Sequence, residues 1–212
     1  MEAGIYLAST DEKTGIQALE PKHETRPMIE GKPALREFEY IRHGTQALIA
    51  SFVVATGKII APKIGPTRTE KDFAEHIETV IASDPEAGWI FIVDQLNTHK
   101  SETLVRLVAQ HCGLETELGE KGKSGILHSM PSRAAFLSDE SHRIRFVYTP
   151  KHTSWLNQIE IWFSILVRKL LRRGEFSSTE ALKARLEAFI EYFNETMARA
   201  FKWTYKGRPL QA

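Results

Sequence analysis

Two apolar segments carry an acid in surroundings that disfavour charge. Gly88-Trp-Ile-Phe-Ile-Val runs directly into Asp94, and Leu156-Asn-Gln-Ile-Glu160-Ile-Trp-Phe sets Glu160 within a hydrophobic helix start. Asp11, which follows the short apolar stretch at residues 5–10, is a third acid near the end of an element. Convergent carboxylates on buried elements need a counter-charge, and a divalent metal ion supplies it. Three carboxylates on separate elements can hold two such ions about 3.5–4 Å apart, one activating an attacking oxygen and the other stabilising the leaving oxygen of a phosphodiester. Oxygen-only ligands favour Mg²⁺ or Mn²⁺ over zinc.

Each acid also has a plainer use. Asp94 can simply orient the Gln-Leu-Asn-Thr-His loop that follows it. Glu160 is turned about 100° from Ile159 around a helix, which puts it at the edge of the buried face beside Leu156 and Val167. There it can pair with Lys151 or Arg168. Asp11-Glu12 before Thr14-Gly15 fits a hairpin turn. If strand alternation runs through that pair, Asp11 and Glu12 face opposite sides and only one joins a site.

Other chemistries find little support. Gly119-Glu-Lys-Gly-Lys-Ser124 imitates a phosphate-binding loop, but the required glycine would fall at Glu117 and no convincing strand precedes it. Neither a Gly-x-Ser-x-Gly elbow nor a His-Glu-x-x-His pair is present, and Cys112 is the only cysteine. Disulfide frameworks and cysteine zinc sites are therefore excluded. No apolar run approaches the roughly 20 residues of a membrane span, and the N-terminus has no signal-like core. A cytoplasmic location without membrane contact is the expectation.

The elements that must position the acids follow from periodicity. The 212 residues fit one domain with a core of its own. Residues 5–10 form a short strand, and the β-branched and aromatic run between about 36 and 62 forms a hairpin turning at Thr56-Gly57. Phe73, Ile77, Val80 and Ile81 share one helical face, with Thr69 and Asp72 as a capping box. Residues 89–94 are too uniformly apolar for a sheet edge. Ser101 caps a helix whose Leu104, Leu107 and Val108 face the core. Residues 113–142 lose periodicity and read as an insertion or long loop, with a short helix near Pro131 to Leu137. Residues 143–148 alternate as a strand. A helix over about 154–173 carries Trp155, Ile159, Trp162, Phe163, Leu166 and Leu170 on one stripe, and a last helix starts at Ser177 with Glu180 as its capping-box partner. The order gives an α/β fold with a mixed sheet covered on both faces.

Net charge is +1, yet it is unevenly spread. Residues 142–212 hold 13 Lys and Arg against 6 Asp and Glu, while residues 1–141 hold 15 against 21. A basic C-terminal third suits a polyanion, or is a solvated helix face. Phe201, Trp203 and Tyr205 alternate with Lys202, Thr204 and Lys206, a pattern that stacks bases or, more simply, docks a terminal segment onto the domain.

Val93-Asp-Gln-Leu-Asn-Thr-His-Lys100 and Tyr148-Thr-Pro-Lys-His-Thr-Ser-Trp-Leu-Asn-Gln-Ile-Glu-Ile-Trp-Phe163 closely resemble the catalytic blocks of bacterial insertion-sequence DDE transposases of the mariner-related superfamily. Ser9-Thr-Asp-Glu-Lys-Thr-Gly15 looks like their first block, and the closing Phe201–Leu210 stretch also resembles theirs. The resemblance spans the chain. It implies a ribonuclease-H-like fold with a mixed central sheet of about five strands, the first acid on the first strand and the second at the end of the fourth. It implies Asp11, Asp94 and Glu160 as the DDE triad holding two Mg²⁺ or Mn²⁺ ions, supported by Asn97, His99 and Asn157, with His99 touching the scissile phosphate or ordering its loop. Lys151, His152, Arg168, Lys169, Arg172 and Arg173 become candidates for DNA phosphate contacts. The implied activity is cleavage of double-stranded DNA at element ends and joining of the 3′-hydroxyl to target DNA, with a homodimer across two ends. A nuclease of the same fold without strand transfer, or an inactive relic that binds DNA or a partner, are the alternatives. Two departures stand out. The Asp94-to-Glu160 interval is lengthened by residues 113–142, and the N-terminal helix-turn-helix domains of such enzymes are expected to be absent. That second departure implies the catalytic half alone, as a second reading frame beside a separately encoded DNA-binding part, a truncated copy or a fragment.

Overall fold

In the computed structural model, residues 4–24, 26–34 and 37–202 are described. The chain forms β1 (Ile5–Pro21), β2 (Tyr40–Val53), β3 (Lys58–Gly65), α1 (Glu70–Ala82), β4 (Gly88–Val93), α2 (Glu102–His111), α3 (Met130–Leu137), β5 (Ile144–Tyr148), α4 (Ile159–Leu166) and α5 (Thr179–Thr196). The five strands lie in the order β3-β2-β1-β4-β5. β1, β2 and β3 pair antiparallel, while β4 runs parallel to β1 and to β5. The expected mixed five-stranded sheet is present, and this topology is ribonuclease-H-like.

Alternation along the strands feeds two cores. Leu48, Ala50 and Phe52 pack with Trp162, Leu166, Leu186 and Phe193 under α4 and α5. Ala8, Ile49, Phe91 and Val93 pack with Phe73, Ile77, Leu104 and Val108 under α1 and α2. Helices therefore cover both faces, as periodicity requires.

Local signals mostly hold. Thr69 and Asp72 form the capping box of α1, and the Ser101 hydroxyl accepts from the Leu104 amide at the start of α2. The hairpin turn lies at residues 54–57, where Gly57 has φ 73° and the Arg199 backbone oxygen would be 2.0 Å from any Cβ.

Several expectations need correction. Asp11 does not end a strand, and Thr14-Gly15 is not a hairpin turn: β1 continues to Pro21 along β2, absorbing those residues in a bulge between Lys13 and Ile16. The helix expected over 154–173 is broken, with a separate 3₁₀ turn at Ser154–Leu156, α4 proper, and a widened π turn at Val167–Leu171. Trp155 consequently leaves the apolar stripe and is 51% exposed, whereas Ile159, Trp162, Phe163, Leu166 and Leu170 are buried. The last helix is capped by Ser178, whose hydroxyl accepts from Ala181 N; the Glu180 carboxylate instead accepts from the Thr179 hydroxyl.

The 113–142 segment folds onto the domain rather than looping out. A 3₁₀ turn (Ile126–His128) leads into α3, which a Ser129–Ser132 capping box starts. Leu127 and Leu137 are fully buried in the α1–α2 core. At the other end of the chain, Phe201 stacks on Phe52 with ring centroids 4.6 Å apart. Docking is thus the observed use of that aromatic, while Trp203 and Tyr205 lie outside the described residues.

Candidate active site

β1 and β4 carry the first two acids to one place. Their parallel register pairs Ile5 with Gly88 and Ser9 with Ile92. Continued by two residues, it sets Asp11 beside Asp94, just past the carboxyl end of β4. Ser9 and Asp11 face α4, since both contact Asn157, which precedes that helix. Thr10 and Glu12 face the other way, towards α1, through Ser51–His76 and through His99. The alternation expected of Asp11 and Glu12 is thus real.

Glu160 reaches the same side of the sheet by an arrangement that local sequence does not reveal. Gln158, the residue at the α4 N-cap, makes no side-chain cap bond. The buried Ser9 hydroxyl takes over, accepting from the Ile159 amide at 2.9 Å while donating to the Asn157 side-chain oxygen in a short hydrogen bond. Asn157, fully buried, donates to the Thr10 carbonyl at 3.0 Å and lies 3.5 Å from Asp11 Oδ2. The first turn of α4, with half-buried Glu160, is thereby anchored to the strand that carries Asp11.

The electrostatics single out Asp11. Its carboxyl is pushed up to about 7, foremost by burial and further by the negative charges of Asp94 and Glu12, against a lowering hydrogen bond from the Glu12 amide. Asp94 is held below the usual carboxylate range, chiefly by its hydrogen bond with His99 and also by the Leu96 amide. His99 is fully buried between two acids, with Nδ1 2.9 Å from Asp94 Oδ1 and Nε2 3.2 Å from Glu12 Oε2. Burial alone would lower its pKa; the bonds to Asp94 and Glu12 outweigh that and bring it to about 9. Phe73 of α1 covers the ring at 4.2 Å between centroids, and the Tyr148 hydroxyl donates to the His99 carbonyl at 2.8 Å. His99 is thus enclosed and tied into the loop that follows Asp94.

Glu12, the acid expected to face away from Asp11, is enclosed on the opposite side of β1. Its side chain is only 2% exposed, and Oε1 is buried without a hydrogen-bond partner. An acid one residue from a site acid, on the opposite face of a central strand, was the available signal.

Whether these residues suit a divalent ion can be judged from their chemistry. Among the described residues, no three His, Cys, Asp or Glu are gathered closely enough to enclose a metal ion. Asp11 and Asp94 nevertheless fit one. Both offer oxygen donors, and burial, with the nearby charge of Asp94 adding to it, lifts Asp11, so a cation there would relieve a conflict present in the protein alone. Glu160 is on the right side of the sheet but is not drawn into that pair.

Beside Asp94 an open cleft of about 710 Å³ is lined by Arg68, Asn97, Lys151, His152 and Ser154. Arg68, from the loop before α1, was not anticipated. His152 holds a left-handed backbone, φ 62°, uncommon for a residue with a side chain. Lys100 is lowered from its ordinary pKa by burial and then by Lys151, so like charges crowd this rim. Of the other basic candidates, Arg168 and Lys169 are exposed on the π turn, and Arg172 and Arg173 line a separate small groove with Glu37 and Tyr40. Neither pair lines the cleft at Asp94.

The comparisons agree with this topology. The family profile described as DDE superfamily endonuclease matches residues 7–183, so the chain belongs to that family. In fold it is similar to Mos1 mariner transposase. The paired-end complex with Mn aligns with a TM-score of 0.54 at 14% identity, covering 88% of this chain and 48% of that one. The paired-end complex with the left transposon end gives 0.52 at 15%, covering 87% and 47%, and the pre-cleavage transpososome 0.52 at 12%, covering 89% and 48%. The chain thus spans about half the length of the structures it matches. No curated protein matches it. Among the described residues, no helix is long and apolar enough to cross a membrane.

Proposed function

We propose that this chain is a metal-dependent DNA transposase catalytic domain, in which Asp11, Asp94 and Glu160 are the catalytic acids. The observation that carries the reading is the juxtaposition of Asp11 and Asp94 across β1 and β4, in a DDE-family chain whose α4 is tied to β1 by Ser9 and Asn157. Asp11 and Asp94 would hold Mg²⁺ or Mn²⁺, with Glu160 completing the set. The chemistry gained from divalent ions held there would be activation of an oxygen nucleophile and charge relief at a scissile phosphate. The remaining work belongs to the chain. His99 and Glu12 fix the Asp94 carboxylate, and Asn157 fixes Asp11 from the opposite side. Arg68, Lys151 and His152 present positive charge to a DNA strand in the neighbouring cleft, and the exposed Arg168, Lys169, Arg172 and Arg173 would meet duplex farther out.

Double-stranded DNA is the proposed substrate and target, and a homodimer spanning two DNA ends is the proposed assembly. The Mos1 complexes aligned above are paired-end and transpososome assemblies, which supports this reading. The test is nicking of supercoiled DNA in Mn²⁺ or Mg²⁺ by the wild type, Asp94→Ala and Glu160→Ala. Wild-type nicking reduced at least about 100-fold in both variants is expected, a loss of about 2.7 kcal/mol in transition-state stabilisation. Equal nicking by the variants would sink the assignment. A labelled donor bearing a free 3′-hydroxyl then separates a transposase, which yields joined products, from a nuclease of the same fold, which does not.

A further inference from the structure

The 113–142 segment contributes a side chain to the second-acid loop. Arg133, on α3, is 8% exposed, and its Nε donates to the Lys100 carbonyl at 2.7 Å while Nη1 donates to the Leu127 carbonyl at 3.0 Å. Lys100 closes the 3₁₀ turn Asn97–Lys100 that follows Asp94, so its carbonyl is one of the groups such a turn leaves without an internal partner. α3 packs directly on this turn, and on α2 and β5.

We propose that Arg133 is a positioning residue for Asp94, and that the 113–142 insertion is a buttress for the catalytic loop. A cation in a nearly closed site, bonded to neutral carbonyls, is not what packing alone would select. An apolar side chain of similar length would fill the space without desolvating a charge. The planar guanidinium instead joins two backbones that must keep a fixed separation, the insertion at Leu127 and the loop at Lys100. From Lys100 the restraint passes to its neighbour His99, whose ring holds Asp94 Oδ1 and whose amide donates to the Leu96 carbonyl at 3.1 Å. The Leu96 amide in turn donates to Asp94 Oδ1 at 2.9 Å. Three elements thereby grip one short loop: β1 through Glu12, β5 through the Tyr148 hydroxyl, and the insertion through Arg133. That the gripped carboxylate serves catalysis rests on the function proposed above; the grip itself does not.

The Leu96 amide reports directly on the Asp94 carboxylate, so its hydrogen exchange is the decisive readout. In the full chain, Arg133→Met keeps the stem and removes both donors, while Arg133→Lys keeps one flexible donor. At a temperature where all proteins are folded, Arg133→Met is expected to speed exchange of the Leu96 and His99 amides about tenfold or more. Arg133→Lys should fall between it and wild type, and β4 amides should stay unchanged. If Arg133 merely anchors α3, exchange rises within α3 and the Ile126–His128 turn and leaves Leu96 at the wild-type rate, which overturns the proposal. Should Arg133→Met not fold, the comparison of Arg133→Lys with wild type decides by the same criterion. A Mn²⁺ titration run in parallel on wild type and Asp94→Asn addresses the other reading. Equal Mn²⁺ affinity in those two refutes the metal assignment of Asp94 while leaving the exchange result to judge Arg133.

Discussion

Ser9→Ala removes one hydroxyl and should loosen the joint between the first and third acids. In the native fold this oxygen accepts from the Ile159 amide at 2.9 Å and donates to Asn157, and all three groups are buried. Loss of a helix cap costs about 1 kcal/mol. Leaving the Asn157 side-chain oxygen buried without its donor adds about 1–3 kcal/mol. Serine and alanine differ little in volume, so no cavity contribution is expected, and the loss should come to about 2–4 kcal/mol. For a chain of this length that lowers the thermal midpoint by about 5–15 °C. Urea unfolding at constant m gives the free energy, and scanning calorimetry gives the midpoint. A loss below about 0.5 kcal/mol, typical of a surface change, would refute the claim that β1 caps α4.

Other perturbations test the surroundings. His76 is fully buried and neutral, bonded to Ser51 and to the Ala61 carbonyl, and burial lowers its pKa to about 4. Below the ordinary histidine value of about 6.5 the unfolded chain takes up a proton that the folded chain refuses, so stability should fall by up to about 3 kcal/mol as pH drops from 6.5 to 4. His76→Leu should abolish that portion of the pH dependence in urea titrations; an unchanged slope would contradict it. A double-mutant cycle with Glu12→Gln and His99→Gln should give a coupling of about 1–3 kcal/mol, and a value under about 0.5 kcal/mol would mean the buried pair is incidental. Gly57→Ala places a Cβ against the Arg199 backbone at a positive φ, so a loss above about 2 kcal/mol is expected by chemical unfolding, and a neutral result would contradict the tight approach of the two segments.

Much of the fold was legible because period-2 and period-3.6 patterns report burial directly. The apolar run ending at Val93 marked a central strand, and the Phe73–Ile81 stripe marked α1. What misled was polarity inside a strand. Asp11, Glu12, Lys13, Thr14 and Gly15 look like a turn, but β2 continues alongside and a bulge takes up the extra residues. Only the partner strand settles that. Similarly, the helical stripe drawn through Trp155 ignored the polar Thr153, Ser154 and Asn157, which the chain uses to break the helix and tie it to β1. For the site, acids at element ends were readable one at a time. Their relation was not, because Ser9 meets Ile159, Glu12 meets His99 and Arg133 meets Lys100 only across the folded sheet. Composition gave no hint of Arg68, an isolated cation in a loop.

The central claim is that Asp11 and Asp94 share a divalent ion with Glu160. Anomalous diffraction from crystals of the full chain grown with Mn²⁺ tests it most directly. A manganese peak bridging the Asp11 and Asp94 carboxylates, with Glu160 turned in to complete the ligands, is the expected result. A well-ordered Asp11–Asp94 pair with no manganese between them, while Mn²⁺ sits elsewhere on the protein, would contradict the account.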